Sequence, residues 1–177
     1  MTHDWDKLSK EALILSPEYI KLPHVNLENI TVKEYSVLYG SSDVESFHDS
    51  VYSDLVIDGL SEKCASNVAF AVVEAVQNAQ EHAYKWQKTD EKGNLNTINV
   101  GSIFTPKYDI IGISSKGHVR IDDIKDLIVK NEGVRYATRG RGFYLMTKIC
   151  NVVYPHQDDE HLEIMMIVMK DEFYNKD

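Results

Sequence analysis

SEKCASNVAFAVVEAVQNAQEHAYK, residues 61–85, is the stretch whose reading decides the fold. Placed at about 100° per residue, Ala65, Val68, Ala69, Val72, Val76, Ala79 and Ala83 fall in one stripe, the pattern of a helix laid against a core. Ser61 stands ahead of the run as an N-cap. Asn67, Glu74, Asn78 and Glu81 gather on the opposite side, with small Ala71 and Ala75 beside them. Glu74 and Asn78 lie one turn apart, so their side chains address a common volume. A carboxylate one turn before a carboxamide can accept a proton while the amide oxygen coordinates a Mg²⁺ bound to phosphates. The same pair also suits a solvated helix face, and spacing alone does not choose between the two.

Outward from this helix the elements are grouped rather than alternating. Upstream, ITVKEYSVLY (residues 30–39) is rich in β-branched and aromatic residues and reads as a strand. A helix carrying Val44, Phe47, Val51, Leu55 and Val56 follows, with its stop near Gly59. Downstream, the polar KTDEKGN separates the long helix from TINVGSIF and YDIIGIS, two strands that read as an antiparallel pair across Pro106 and Lys107. A helix at about 121–130, a loop, a helix at 143–150 and strands near 151–154 and 161–169 complete the order. Such grouping argues for an α+β two-layer sandwich, not a doubly wound parallel sheet.

Residues 3–14 read as a short amphipathic helix with Trp5, Leu8, Ala12 and Leu13 on one side, and Pro17 and Pro23 then punctuate an irregular stretch. We therefore divide the chain into an N-terminal helical extension, 1–28, and a domain, 29–177.

Composition narrows the function. With 28 acidic against 19 basic residues the chain carries a net charge of -9, a field that opposes direct binding to nucleic acid or to an anionic membrane. The opening MTHDWDKLSK lacks a basic-then-apolar signal pattern, and the apolar HLEIMMIVM is of strand length, too short to cross a bilayer. Cys64 and Cys150 belong to no CxxC or Cys/His cluster, so they read as reduced buried thiols in a cytoplasmic protein.

A second constellation lies in TRGRGFYLM, residues 138–146. Gly140 and Gly142 permit close backbone approach just before a helix whose first free N–H groups, at Phe143, point outward. Arg139 and Arg141 add positive charge, which makes an anion site; a capped turn with solvated arginines is the plainer alternative.

EAVQNAQEHAY, with Glu74, Asn78, His82 and Tyr84 in an E-x-x-x-N-x-x-x-H-x-Y pattern, resembles the N-box of GHKL ATPases as found in bacterial anti-sigma-factor serine kinases. The run from Gly140 to Met146 resembles the second glycine box of that family. The resemblance implies a Bergerat, or histidine-kinase-like, ATPase fold: a mixed, mostly antiparallel sheet covered on one face by helices. It implies ATP and Mg²⁺ as ligands, with Glu74 as general base, Asn78 as the magnesium ligand, and Gly140, Arg141, Gly142 and Phe143 around the nucleotide. His82 is expected to be structural, while Arg139 or, second, Arg135 would meet the γ-phosphate.

The first glycine box departs from the pattern. The family ends a strand on D-x-G, where the Asp accepts a hydrogen bond from the adenine amine. Here the strand ends ISSKGHVR, which sets Ser115 at the Asp position and Gly117 at the glycine. Asp109 begins that strand and is expected a strand's length away, and Asp122 and Asp123 read as helix caps. By resemblance the chain is a serine kinase that controls transcription through a sigma factor or an anti-sigma-factor antagonist, usually as a homodimer. The alternative is a GHKL-fold module that sequesters a protein partner without nucleotide turnover.

Overall fold

The computed structural model describes residues 30–38, 44–83, 97–116, 141–157 and 161–170. They form β1 (Thr31–Leu38), α1 (Val44–Ile57), α2 (Glu62–Ala83), β2 (Thr97–Phe104), β3 (Tyr108–Lys116), α3 (Arg141–Ile149), β4 (Val152–Gln157) and β5 (His161–Met169). The expected helices at 3–14 and 121–130 lie outside the described residues, as does the boundary of the N-terminal extension.

The strands make one sheet in the order β1-β2-β3-β5-β4. All four described pairings are antiparallel, the orientation expected to dominate. β2 and β3 form the anticipated hairpin, closed at Thr105, whose hydroxyl donates to the Tyr108 carbonyl at 2.6 Å and accepts from the Tyr108 N–H at 3.0 Å.

Side-chain alternation divides the sheet into two faces. One carries Ile98, Val100, Ile111, Ile113, Ile164, Met166, Val168 and Val153, all buried in one cluster with the apolar residues of the three helices. The α+β sandwich is therefore present, with the described helices on a single face. Fully burying a Val, Leu or Ile contributes about 1.5–3 kcal/mol, so Leu55, Val68, Val72, Val76 and Ile111, each with no exposed surface, are principal supports.

The helix boundaries follow the capping chemistry. Ser61 caps α2: its carbonyl accepts from the Ala65 N–H at 2.8 Å and its hydroxyl from the Cys64 N–H at 3.4 Å. α1 ends in a Schellman turn, with Gly59 N–H on the Val56 carbonyl, Leu60 N–H on the Leu55 carbonyl, and Gly59 at φ 102°. Leu55 and Leu60, both buried, supply the hydrophobic contact of that motif.

Two expectations need correction. Ala71 and Ala75, read as flanking the polar face of α2, are buried core residues, because α2 packs against α1 and α3 as well as the sheet. α3 starts at Arg141 rather than 143, which moves Gly142 from the loop into the first turn of the helix. Both cysteines are free and buried, and burial pushes the Cys150 thiol up to about 12.

Candidate functional site

The polar face of α2 is not uniformly solvated. Asn67 and Glu81 are exposed, whereas Glu74 and Asn78 are half-buried beneath the first turn of α3. Gly142 is the reason the two helices can meet there. A Cβ on residue 142 would lie 2.4 Å from Asn78 Nδ2, 3.3 Å from Asn78 Cγ and 3.1 Å from Glu74 Oε2. The first distance is shorter than real Cβ contacts, so a side chain at 142 would have to displace the Asn78 amide or α3; glycine serves close approach here, not backbone conformation. Thus one carboxylate oxygen and one amide converge on a single point at the N-terminus of α3.

The amide carries an unmet need. Asn78 Nδ2 is buried and has no hydrogen-bond partner among the described residues. Leaving a buried donor unsatisfied costs about 1–3 kcal/mol, and native structures keep few such groups without a reason. The N-terminus of α3, with the positive end of its dipole, lies beside it.

The remaining sequence candidates distribute as follows. Phe143 points its side chain into the core at 5% exposure and anchors α3, so any contact it makes with an anion comes from its N–H. Arg141 is the first residue of α3. Ser115 is buried near the end of β3, on the helix-covered face with Ile111 and Ile113, opposite Leu162 of β5. Gly117, Arg135, Arg139, Gly140 and Tyr84 lie outside the described residues. His82 belongs to the last turn of α2. Glu74, Asn78 and Gly142 are the candidates brought together.

Asp109 sits near the opposite end of β3, six residues from Ser115 and hence about 20 Å along the strand. It belongs to a charged cluster that sequence reasoning missed. Lys170 Nζ pairs with the Asp58 carboxylate, donates to the Asp58 carbonyl at 3.1 Å and lies 3.1 Å from Asp109 Oδ1. Asp109 is wholly buried, and burial, reinforced by the neighbouring Asp58 carboxyl and opposed by Lys170, pushes its carboxyl up to about 8. A second pairing missed in the sequence joins β1 to α1, where the Tyr35 hydroxyl donates to Asp54 and Lys33 Nζ lies 3.4 Å from the same carboxylate. Both clusters depend on register between distant segments, and no local motif announces them.

Among the described residues no group of three or more His, Cys, Asp or Glu is placed to hold a metal ion, and no helix is long and apolar enough to cross a membrane.

No protein-family model and no curated protein matches the chain. Its fold is nevertheless found in solved structures. A chain in the crystal structure of the SiaB-SiaC complex from Pseudomonas aeruginosa superposes with a TM-score of 0.51, covering 77% of this chain and 88% of that one. Identity over the match is 12%. The likeness is one of fold. It covers most of both chains, so it concerns the sandwich as a whole and not a shared hairpin or helix pair.

Proposed function

We propose that the chain is a GHKL-type ATP-binding regulatory protein that phosphorylates a serine of a protein partner. The observation that carries this reading is the convergence of Glu74 and Asn78 on Gly142, with the Asn78 amide buried and unpartnered. The two boxes recognised in the sequence are far apart along the chain, and a ligand-binding cleft is the reading that explains why both close on one point.

The residues present suit Mg²⁺·ATP. Mg²⁺ takes few protein ligands and completes its shell with phosphate oxygens and water, so a single carboxamide is an adequate donor set and no all-protein cage is needed. Which end of the Asn78 amide carries oxygen is fixed by its partners, and a bound cation would draw the oxygen toward itself. When bound, the ion neutralises charge on the phosphates. The protein's own groups do the rest. Asn78 holds the ion, the first N–H groups of α3 and Arg141 receive phosphate oxygens, and Arg139 meets the γ-phosphoryl group. Glu74 takes the proton of the partner serine as its oxygen bonds to the γ-phosphorus and the bond to ADP breaks.

The fold shared with a chain of the SiaB-SiaC complex supports a role in a protein–protein regulatory pair. In this proposal the partner is a sigma factor or an anti-sigma-factor antagonist, the protein acts in the cytoplasm, and it works as a homodimer.

Ser115 favours a second reading. A hydrogen bond to a charged acceptor is worth about 1.5–3 kcal/mol and one to a neutral acceptor about 0.5–1.5. Serine in place of aspartate weakens adenine recognition by about 1 kcal/mol, or near tenfold. A larger loss would leave a module that sequesters its partner without turnover. Calorimetric titration with ATP, ADP and GTP in Mg²⁺ separates the two. Micromolar, adenine-selective binding that weakens in Asn78→Ala supports the kinase; absence of binding at millimolar nucleotide leaves the sequestering module.

A further inference from the structure

The three described helices cover only one face of the sheet. On the other face the register sets Val32, Ile103, Ile110 and Ile167 in one row across β1, β2, β3 and β5, with Tyr108 and Met169 paired beside it. Tyr108, Ile110 and Ile167 form a cluster separate from the main core, with Ile103, Met165 and Met169 packed against them. Their exposures are 5%, 5% and 2%, as low as in the helix-covered core, although no described element lies over them. In-plane neighbours shield the flanks of a sheet residue but not its tip, so atoms above the sheet must supply the rest. At the β1 edge the cover stops, and Val32 is 60% exposed.

The topology limits what the cover can be. Thr31, Phe104, Asp109 and Val168 align at one end of the sheet, next to the buried cluster. Residues 84–96 and 117–140 join the sheet at the other end, through Thr97 and Lys116. The segment before β1 and the segment after Lys170 emerge at the cluster's own end. The latter leaves β5 through Lys170, which is helical, and continues as the mostly polar DEFYNKD with two rings and no apolar stripe. The former carries the stripe Trp5, Leu8, Ala12 and Leu13. A twelve-residue helix is about 18 Å long, and the row from β1 to β5 spans three strand spacings, about 14 Å. Residues 15–30, extended, reach about 50 Å, so the tether does not restrict docking.

We propose that residues 3–14 dock as an amphipathic helix on the helix-free face of the sheet, over Ile103, Ile110 and Ile167. The small two-layer sandwich then becomes three-layered at one end, and the N-terminal extension is a structural part of the domain.

The test is methyl NMR on the full chain with ¹³C-labelled isoleucine methyls. Cross-relaxation from the Trp5 indole and the Leu8 methyls to Ile110 and Ile167 is expected. It should vanish in Leu8→Asp, with the Ile111 and Ile113 methyl shifts on the helix-covered face unchanged. Contacts from Phe173 or Tyr174 alone would overturn the proposal. So would contacts seen only between differently labelled copies, or no contact from residues 3–14.

Discussion

The two ends of the sheet bury polar atoms in opposite ways. At the end near Asp109, both carboxyl oxygens are buried without a hydrogen bond among the described residues, but the Lys170 cation lies 3.1 Å from Oδ1 and pairs with Asp58 as well. At the α2–α3 junction, the buried Asn78 amide faces Gly142, which offers no side chain at all. In the first case the compensation is internal, and the cluster fastens the end of α1 to the start of β3 and the end of β5. In the second no described residue supplies the compensation, and the proposed ligand would. A buried polar group with a charged partner argues for structure; one aimed at a glycine beside a helix N-terminus argues for a ligand.

The contrast breaks first at Lys170. Replacing it in Lys170→Met leaves the Asp58 carboxylate without its cation and should cost about 3 kcal/mol of stability, read as a lower urea midpoint. Nucleotide affinity, measured where the variant is still folded, should not change. A weaker effect on stability than on binding would mean that this cluster, too, serves the site.

Gly142→Ala tests the other end. The added methyl at 2.4 Å from Asn78 Nδ2 must push the amide or α3 aside, an overpacking cost of about 2 kcal/mol. Here binding should suffer as well, at least tenfold in calorimetry. Unchanged binding would show that the junction is a packing contact and nothing more.

The pH dependence sharpens the distinction further. The Asp109 carboxyl titrates at about 8 in the folded protein and at 3.8 in the unfolded chain. Between those values the folded chain holds a proton that the unfolded chain has lost. This group's contribution is therefore most favourable below the unfolded value, declines as pH rises, and levels off above about 8. Asp109→Asn should be nearly neutral at pH 7 and should flatten that decline between pH 5 and 9 in urea unfolding. A variant as pH-dependent as the wild type would assign the titration elsewhere.

The smallest effect is expected at Ser115. Ser115→Asp restores the acceptor of the family pattern and should tighten ATP about tenfold, or about 1 kcal/mol, without improving GTP. Equal gains for both nucleotides would show that residue 115 does not read the base.

Much of this architecture was legible because it is local. The stripe on α2, the Ser61 cap and the Gly59 stop are each written within a few residues, and each appears where the sequence put it. So are the strands, whose alternation is a two-residue pattern. Strand order was not legible, because nothing in β3 names β5 as its neighbour. The Asp109–Lys170 pair was invisible for the same reason: it exists only once β3 and β5 are in register. The site falls between these cases. Glu74, Asn78 and Gly142 were each singled out from motifs, but their contact depends on α3 beginning at Arg141, two residues before the apolar periodicity implied.

The central claim is that Asn78 finds no hydrogen-bond partner among the described residues because its partner is a ligand. Urea unfolding of the wild type and Asn78→Leu, each with and without saturating Mg²⁺·ATP, tests it most directly. The account predicts that Asn78→Leu without nucleotide is as stable as the wild type or about 1 kcal/mol more stable, since it removes an unsatisfied donor. Nucleotide at a hundred times its dissociation constant should then stabilise only the wild type, by about 2.7 kcal/mol. A destabilised Asn78→Leu, together with no nucleotide effect on either protein, would make Asn78 a structural residue and contradict the account.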